Sequence, residues 1–418
     1  MRPIPTLPGT ARLTYNGGMK TRDRPIYLDY AASTPADPRV IARMLGFLGP
    51  DSVFANPASA THALGRAARE AVEAARHEVA ALIGARDSEI VFTSGATESN
   101  NLALSGLARA RSDRGRHLVA SRIEHSSVLD TLRALEAEGF EVTYLPCDRN
   151  GRVDPEEVRR ALRPDTLLCS VMHVNNETGV IQDIASIGRI CRERGTVFHV
   201  DAVQSAGKLP IDLAALPVDL MSFSGHKIYG PKGIGALYLR SDPELVLEPL
   251  IHGGGQERGL RAGTLATHQI VGMGEAFRIA RLEGAAEACR IQGMRDRLWA
   301  RLEALSGVEL NGASVPRVCG LLSLTFSGVG GESLLFFLGD LALAQGSACS
   351  SARGEPSHVL KALGRSDAEA EATLRISLGR FTTEDEIESA AQALAQAYGR
   401  MLEVAPRKRD RIGSRTVG

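Results

Sequence analysis

The sequence predicts an α/β protein with a doubly wound, mainly parallel sheet, and three observations carry that prediction. Short apolar runs alternate with stretches of helical periodicity from about residue 63 to residue 240. Some runs are apolar throughout, as in Leu167-Leu-Cys-Ser-Val-Met172, which is the pattern of a parallel strand buried on both faces. Polar residues gather just after the runs end, and ligands of this layout sit beyond the carboxyl ends of the strands.

The 418 residues exceed what one hydrophobic core usually serves, so two domains are expected. Forty-nine basic residues balance 49 acidic ones, which removes the electrostatic case for a nucleic acid or an anionic membrane as partner. No apolar run approaches the ~18 residues of a membrane span, and no signal-peptide core opens the chain, so a cytoplasmic protein is expected. Six cysteines (147, 169, 191, 289, 319 and 349) are widely spaced with no Cys-x-x-Cys, which points to neither a metal site nor a disulfide framework.

Residues 1–24 are rich in Pro and Gly without periodicity and are expected to form a flexible extension, within which Met19 is a second candidate start. A short strand then runs from Pro25 into Leu28-Asp-Tyr-Ala-Ala-Ser-Thr-Pro35. Apolar residues at 68, 72, 75, 79, 82 and 83 mark a helix over 63–83, and Glu89-Ile-Val-Phe-Thr93 is a strand. Ser94-Gly-Ala-Thr97 turns that strand into the next helix, leaving backbone N–H groups at the positive helix end where a phosphate would fit, although many such turns bind nothing. Strands follow at 117–121, 141–145, 167–172, 196–200 and 220–223, separated by helices near 127–138, from Asp154-Pro155 onward, and near 184–194. They deliver His125, Asn176, Asp201, Gln204 and Lys227 just past strand ends, where all five can meet in one crevice. Singly, each has a plainer reading: His125 and Asp201 as helix caps, Asn176 as a turn residue, Gln204 as a surface amide. A strand at 235–239 precedes a long helix over about 267–305 with a break near Gly284. Strands at 321–326 and 373–378, a helix after Ser333 and a terminal helix near 383–402 complete the chain.

Only six of the basic residues are lysines (20, 208, 227, 232, 361 and 408), and two of them fall in Ser224-Gly-His-Lys-Ile-Tyr-Gly-Pro-Lys-Gly233. A lysine amine at the end of a buried strand suits a Schiff base, most commonly to pyridoxal phosphate (PLP), the alternative being a turn-capping lysine. Neither this segment nor the Gly- and Arg-rich Gly253–Thr264 loop matches a dinucleotide fingerprint or P-loop; the latter loop suits a phosphate or another subunit. Cys349 lies among Gly, Ser and Ala with Arg353 nearby, the accessible and positive setting a reactive thiolate needs, against the alternative of an inert surface cysteine.

These segments, together with Phe92-Thr-Ser-Gly-Ala-Thr-Glu-Ser99, Met172-His-Val-Asn-Asn-Glu177, His199-Val-Asp201 and Gly346-Ser-Ala-Cys349, resemble PLP-dependent cysteine desulfurases of the iron–sulfur cluster assembly type, in the class V aminotransferase group. The resemblance runs from about Pro25 to Val404. It implies a fold-type I PLP-dependent transferase, α/β, with a mainly parallel seven-stranded sheet in a large domain (37–283) and a smaller α+β domain (25–36 and 284–418) carrying the cysteine loop. It also implies a homodimer that turns L-cysteine into alanine, leaves a persulfide on Cys349, and passes the sulfur to an acceptor such as an iron–sulfur scaffold protein.

Residue by residue, the resemblance implies that Lys227 holds PLP and moves protons at the substrate α-carbon, that Asp201 pairs with the pyridine nitrogen, and that His125 stacks on the ring. Ala96, Thr97, Ser224 and His226 would hold the phosphate, with Thr264 supplied by the partner subunit. Gln204 and Asn176 would bond the ring oxygen and substrate, Asn56 would contact substrate, and Arg375 would bind the substrate carboxylate. Ala55, Gln256 and Ala344-Gln345 depart from the usual family residues, and none of them removes a catalytic group. A selenocysteine lyase or an aminotransferase of the same fold, or a non-catalytic sulfur relay, are the rival expectations.

Overall fold

A computed structural model describes residues 24–346 and 356–404, so Cys349 lies outside the described residues. After β1 (Ile26–Tyr27), α1 (Pro38–Leu45) and α2 (Ala63–Ile83), strands and helices alternate. The order is β2 (Ile90–Thr93), α3 (Ala96–Ala110), β3 (His117–Ser121), α4 (Ser126–Ala137), β4 (Glu141–Leu145), α5 (Pro155–Ala161), β5 (Thr166–Ser170), α6 (Ile184–Glu193), β6 (Val197–Asp201), β7 (Leu220–Ser224) and β8 (Gly235–Leu239). Local chemistry sets the helix starts. Asp37 accepts from Arg39 N at 2.9 Å and Asp154 from Glu156 N at 2.9 Å, each followed by a proline in the first turn.

The seven strands form one sheet in the order β2-β8-β7-β6-β5-β3-β4, in which β8 alone runs antiparallel to its neighbours. Side-chain alternation sends Phe92, Val119, Cys169, Phe198 and Phe223 to one face, where they meet Val72 and Val79 of α2 and Ile187 of α6. Val91, Leu118, Leu168, Leu220 and Leu237 go to the other face, against Leu104 and Leu107 of α3 and Leu132 of α4. Each fully buried side chain of this size contributes about 1.5–3 kcal/mol. The doubly wound sheet is therefore as expected, with polar termini gathered at one edge.

The chain continues through α7 (Thr267–Leu302), β9 (Val308–Leu310), β10 (Leu321–Phe326), α8 (Gly331–Phe337), β11 (Leu341–Ala342), β12 (Ala344–Gln345), α9 (His358–Ala362), α10 (Asp367–Glu371), β13 (Thr373–Ser377) and α11 (Glu384–Val404). A four-stranded antiparallel sheet, β12-β13-β10-β9, packs Leu324, Phe326, Leu374 and Ile376 against Leu298 of α7 and Leu394 of α11. The parallel pairing of β1 with β11 ties the start of the described chain to this second core.

The expected break near Gly284 does not occur: α7 runs through it without interruption. The glycine serves close packing instead, because a Cβ there would lie 3.0 Å from the Gly207 carbonyl oxygen. A second close approach matters to the site. Gly235 at the start of β8 lies so near Gly95 that a Cβ would come within 2.7 Å of the Gly95 Cα. No helix among the described residues is long and apolar enough to cross a membrane.

Candidate active site

At the carboxyl ends of β5, β6 and β7 a cavity of about 460 Å³ opens, bounded on one side by the turn between β2 and α3. Its walls include Ala96, Thr97, His125, Asn176, Asp201, Gln204, Ser224, His226, Lys227 and Arg375, so ten of the sequence-derived candidates meet in one place. Asn56 and Thr264 do not line it; both are exposed. Cys349 lies outside the described residues.

Lys227 ends the short helical turn after β7, and its Nζ donates to the carbonyl oxygens of Ala31 at 2.6 Å and Ala32 at 2.7 Å. Burial, followed by the positive charges of Lys208 and Arg375, lowers its pKa to about 7, while Asp29 and Asp201 act the other way. The amine is thus partly neutral near physiological pH, as a nucleophilic lysine requires. The neighbouring His226 is held near 4 by desolvation and then by Lys227. It is a neutral imidazole whose Nδ1 lies 3.3 Å from Ser33 Oγ.

Asp201 closes β6 and accepts from Val203 N at 3.0 Å and from Asn100 Nδ2 at 2.9 Å. Asn100, on α3 and fully buried, also donates to Ser127 Oγ at 2.9 Å. Ser127 Oγ lies 2.8 Å from His125 Nδ1, and Ser127 N donates to the same nitrogen at 3.1 Å. A backbone N–H only donates, so Nδ1 is the acceptor and the neutral ring carries its proton on Nε2. Desolvation lowers the His125 pKa, with Asp201 opposing. His125 is therefore both the cap of α4 and a wall of the cavity, and its two readings coexist.

The turn from Ser94 to Thr97 opens the 15-residue α3, with a Glu98 carboxylate drawn to Ser94 N at 2.7 Å and to Arg261 at 3.0 Å. The Gly- and Arg-rich loop is anchored by Glu257, whose buried carboxylate is gripped bidentately by Arg76 at 2.8 Å for each bond and also accepts from Phe92 N at 2.7 Å. Arg375, on β13 and 3% exposed, donates to the Asn176 carbonyl at 3.0 Å and to Asp29 at 2.8 Å. Its Nε has no partner among the described residues. Gln204 is more committed than its sequence reading implies: Nε2 donates to the Ala31 carbonyl at 2.8 Å, and Oε1 accepts from Lys208 at 2.9 Å.

The family profile described as Aminotransferase class-V matches residues 26–389, most of the chain. The chain belongs to the class-V aminotransferase family. Among its relatives in this family, the cysteine desulfurase IscS of Klebsiella pneumoniae (strain 342) is 56% identical over 382 residues, which cover 91% of this chain and 95% of the relative. The cysteine desulfurase IscS of Salmonella schwarzengrund (strain CVM19633) matches to the same extent. Among solved structures, a NifS-like protein superposes with a TM-score of 0.81 at 37% identity, covering 91% of this chain and 99% of that one. SspA in complex with cysteine gives 0.76 at 42% identity, covering 85% and 99%.

Two residues bonded to the cavity wall escaped the sequence reading. An asparagine inside a helix and a lysine in a turn carry no local signal, and Asn100 and Lys208 became visible only when the fold brought them beside Asp201 and Lys227. The scarcity of lysine was the one available hint for Lys208.

Proposed function

We propose that the chain is a PLP-dependent cysteine desulfurase that converts L-cysteine to L-alanine and leaves a persulfide on Cys349, serving iron–sulfur cluster assembly and other sulfur-transfer pathways. The observation that carries this reading is Lys227, a desolvated amine at a strand end, facing an anchored carboxylate and an arginine with an unpartnered, buried Nε across one cavity. These residues fit PLP. Lys227 would hold its aldehyde carbon, Asp201 its ring nitrogen, and the turn at Gly95, Ala96 and Thr97 with Ser224 and His226 its phosphate. His125 would lie against its ring. When bound, PLP supplies an electron sink that acidifies the substrate α-carbon.

The chain's own groups do the remaining work. Arg375 takes the substrate carboxylate through its planar fork, with Asn176 beside it. Lys227 removes the α-proton and returns a proton as the product forms, a role suited to an amine with a pKa of about 7. The Asn100–Ser127 network fixes the His125 tautomer and holds the Asp201 carboxylate in place. The thiolate of Cys349 attacks the substrate sulfur. A sulfur–sulfur bond forms as the carbon–sulfur bond breaks, and the electron pair left on the β-carbon side takes up a proton to give alanine.

The proposal includes a homodimer in the cytoplasm acting with a sulfur-acceptor protein. Exposed Leu45, Leu48, Phe54 and Leu64 in and around α1 and α2 support a subunit contact, and the exposure of Thr264 suits a residue given to the partner's site. It also divides the chain into a large domain over 37–283 and a small one over 25–36 and 284–418, in line with two cores that meet along α7. Absorbance of the PLP-loaded protein before and after L-cysteine, with alanine quantified, tests the reading. Lys227→Ala should lose the spectral signature of the lysine-bound cofactor, and an unchanged spectrum would mean that the wrong lysine has been chosen.

A further inference from the structure

Behind Lys227, on the side away from the main cavity, sits another of the chain's few lysines. From Ala202 to Leu209 the backbone coils in successive turns, with Ala206 N donating to the Ala202 carbonyl at 3.0 Å and Leu209 N to that of Ser205 at 2.9 Å. This places Gln204 and Lys208 four residues apart on one face. Lys208 Nζ donates to Gln204 Oε1 at 2.9 Å, Gln204 Nε2 donates to the Ala31 carbonyl at 2.8 Å, and Lys227 Nζ donates to that same carbonyl at 2.6 Å. One amide and one carbonyl oxygen thus link the two ammonium groups.

No direct ion pair cancels the charge of Lys208. Among the described residues no carboxylate forms an ion pair with it. Glu287 of α7 acts on Lys208 from a distance but is itself committed to Arg380 at 2.6 Å. The space between them is a cavity of only about 40 Å³, bordered by Gln204, Lys208, Lys227, Glu287, Cys319 and Arg380, with room for little more than a water or two. Screening by solvent is correspondingly weak. Among the described residues, the other charged and titratable groups lining the space around Lys227 are Asp201 of β6, His125 at the cap of α4, Glu98 of α3, Asp29, Tyr30, Arg375 of β13 and, on its own segment, His226, Tyr229 and Lys232.

We propose that Lys208 is a positioning residue that holds Gln204 against the Ala31 carbonyl and, through a charge that no direct ion pair neutralises, favours the neutral, nucleophilic amine of Lys227. The two lysine pKa values agree with this geometry. Lys208 is lowered to about 8, chiefly by desolvation, so it remains largely charged at pH 7; Lys227 is lowered first by desolvation and next by Lys208. The influence fades as pH rises through 8 and Lys208 itself loses its proton. The inference rests on the reading of Lys227 as the cofactor-holding amine.

The test follows the rate at which the full-length chain, freed of cofactor, takes up PLP between pH 6 and pH 9. Uptake requires the neutral amine, so its pH midpoint reports on Lys227. Lys208→Met should raise that midpoint by about one pH unit and slow uptake at pH 7 about fivefold. Lys208→Arg, which keeps the charge, should leave the midpoint near that of the unmodified protein. Lys208→Gln provides a second neutral variant should the methionine protein fail to fold. A wild-type midpoint in folded neutral variants would overturn the inference, as would an equal shift in the arginine variant or a uniform slowing at every pH. Lys227→Ala taking up PLP at the wild-type rate would instead overturn the reading of Lys227 itself, and the inference with it.

Discussion

Replacing Arg375 with lysine tests the substrate end of the site most sharply. The guanidinium is fixed by two hydrogen bonds, to the Asn176 carbonyl at 3.0 Å and to Asp29 at 2.8 Å, and its buried Nε is left over. A buried donor without a partner is costly, and a substrate carboxylate is the acceptor that would complete it. Lysine keeps the charge but has no planar fork, and it cannot hold Asp29, Asn176 and a carboxylate together. Losing a charge-assisted hydrogen bond costs about 1.5–3 kcal/mol, or roughly 10- to 150-fold in kcat/KM. Because the carboxylate is bound in ground and transition states alike, most of the loss should appear in KM. The assay is initial-rate alanine formation across L-cysteine concentrations, with cysteamine, which lacks the carboxylate, as a competitor. Arg375→Lys should also narrow the preference for L-cysteine over cysteamine in competition. A KM within about twofold of the parent protein, with that preference intact, would refute the assignment.

Other perturbations follow from the same geometry. Glu124 is fully buried, accepts from Ser121 Oγ and from Met172 N at 2.8 Å, and is raised by desolvation to about 8. Its folded pKa lies above the unfolded value, so its contribution is complete below about pH 4.5 and is lost as pH rises toward 8. Glu124→Gln, which mimics the protonated form, should therefore gain in Tm over the parent at pH 8 but not at pH 4.5, and a lower Tm at pH 8 would contradict this. Glu257→Ala should destabilise the protein by about 3 kcal/mol in denaturant titrations, because it removes the buried partner of Arg76 and leaves that guanidinium only the exposed Glu73 carboxylate. A change under 1 kcal/mol would refute that role. Asn100→Ala should lower kcat with little effect on KM, since it frees the Asp201 and Ser127 oxygens without touching Arg375; an unchanged kcat would show the network to be dispensable.

What the sequence made legible depended on whether the signal was local. Buried strands such as Leu220–Ser224 announce themselves as apolar runs, and the polar residues after them converge because parallel strands must end on the same side. Short elements were missed: α1, β9, β11, β12, α9 and α10 have between two and eight residues, too few to establish a period. Gly284 was read as a helix break because sequence shows only the cost of glycine in a helix, and not the Gly207 carbonyl that requires it. Gln204 was placed correctly in the cavity wall, but its engagement with Lys208 and Ala31 depends on side-chain contacts that no spacing rule supplies. The same holds for Asn100, whose partners lie 27 and 101 residues away.

The most direct test of the account is the yield of alanine from L-cysteine by the PLP-loaded protein beside its Cys349→Ala variant. In the presence of a thiol acceptor the parent protein should form alanine and transferred sulfur, counted as persulfide plus sulfide, in equal amounts. Neither should come from the variant, whose cofactor absorbance should nonetheless match the parent's. Alanine formed by Cys349→Ala at the parental rate would contradict the claim that this thiol accepts the sulfur.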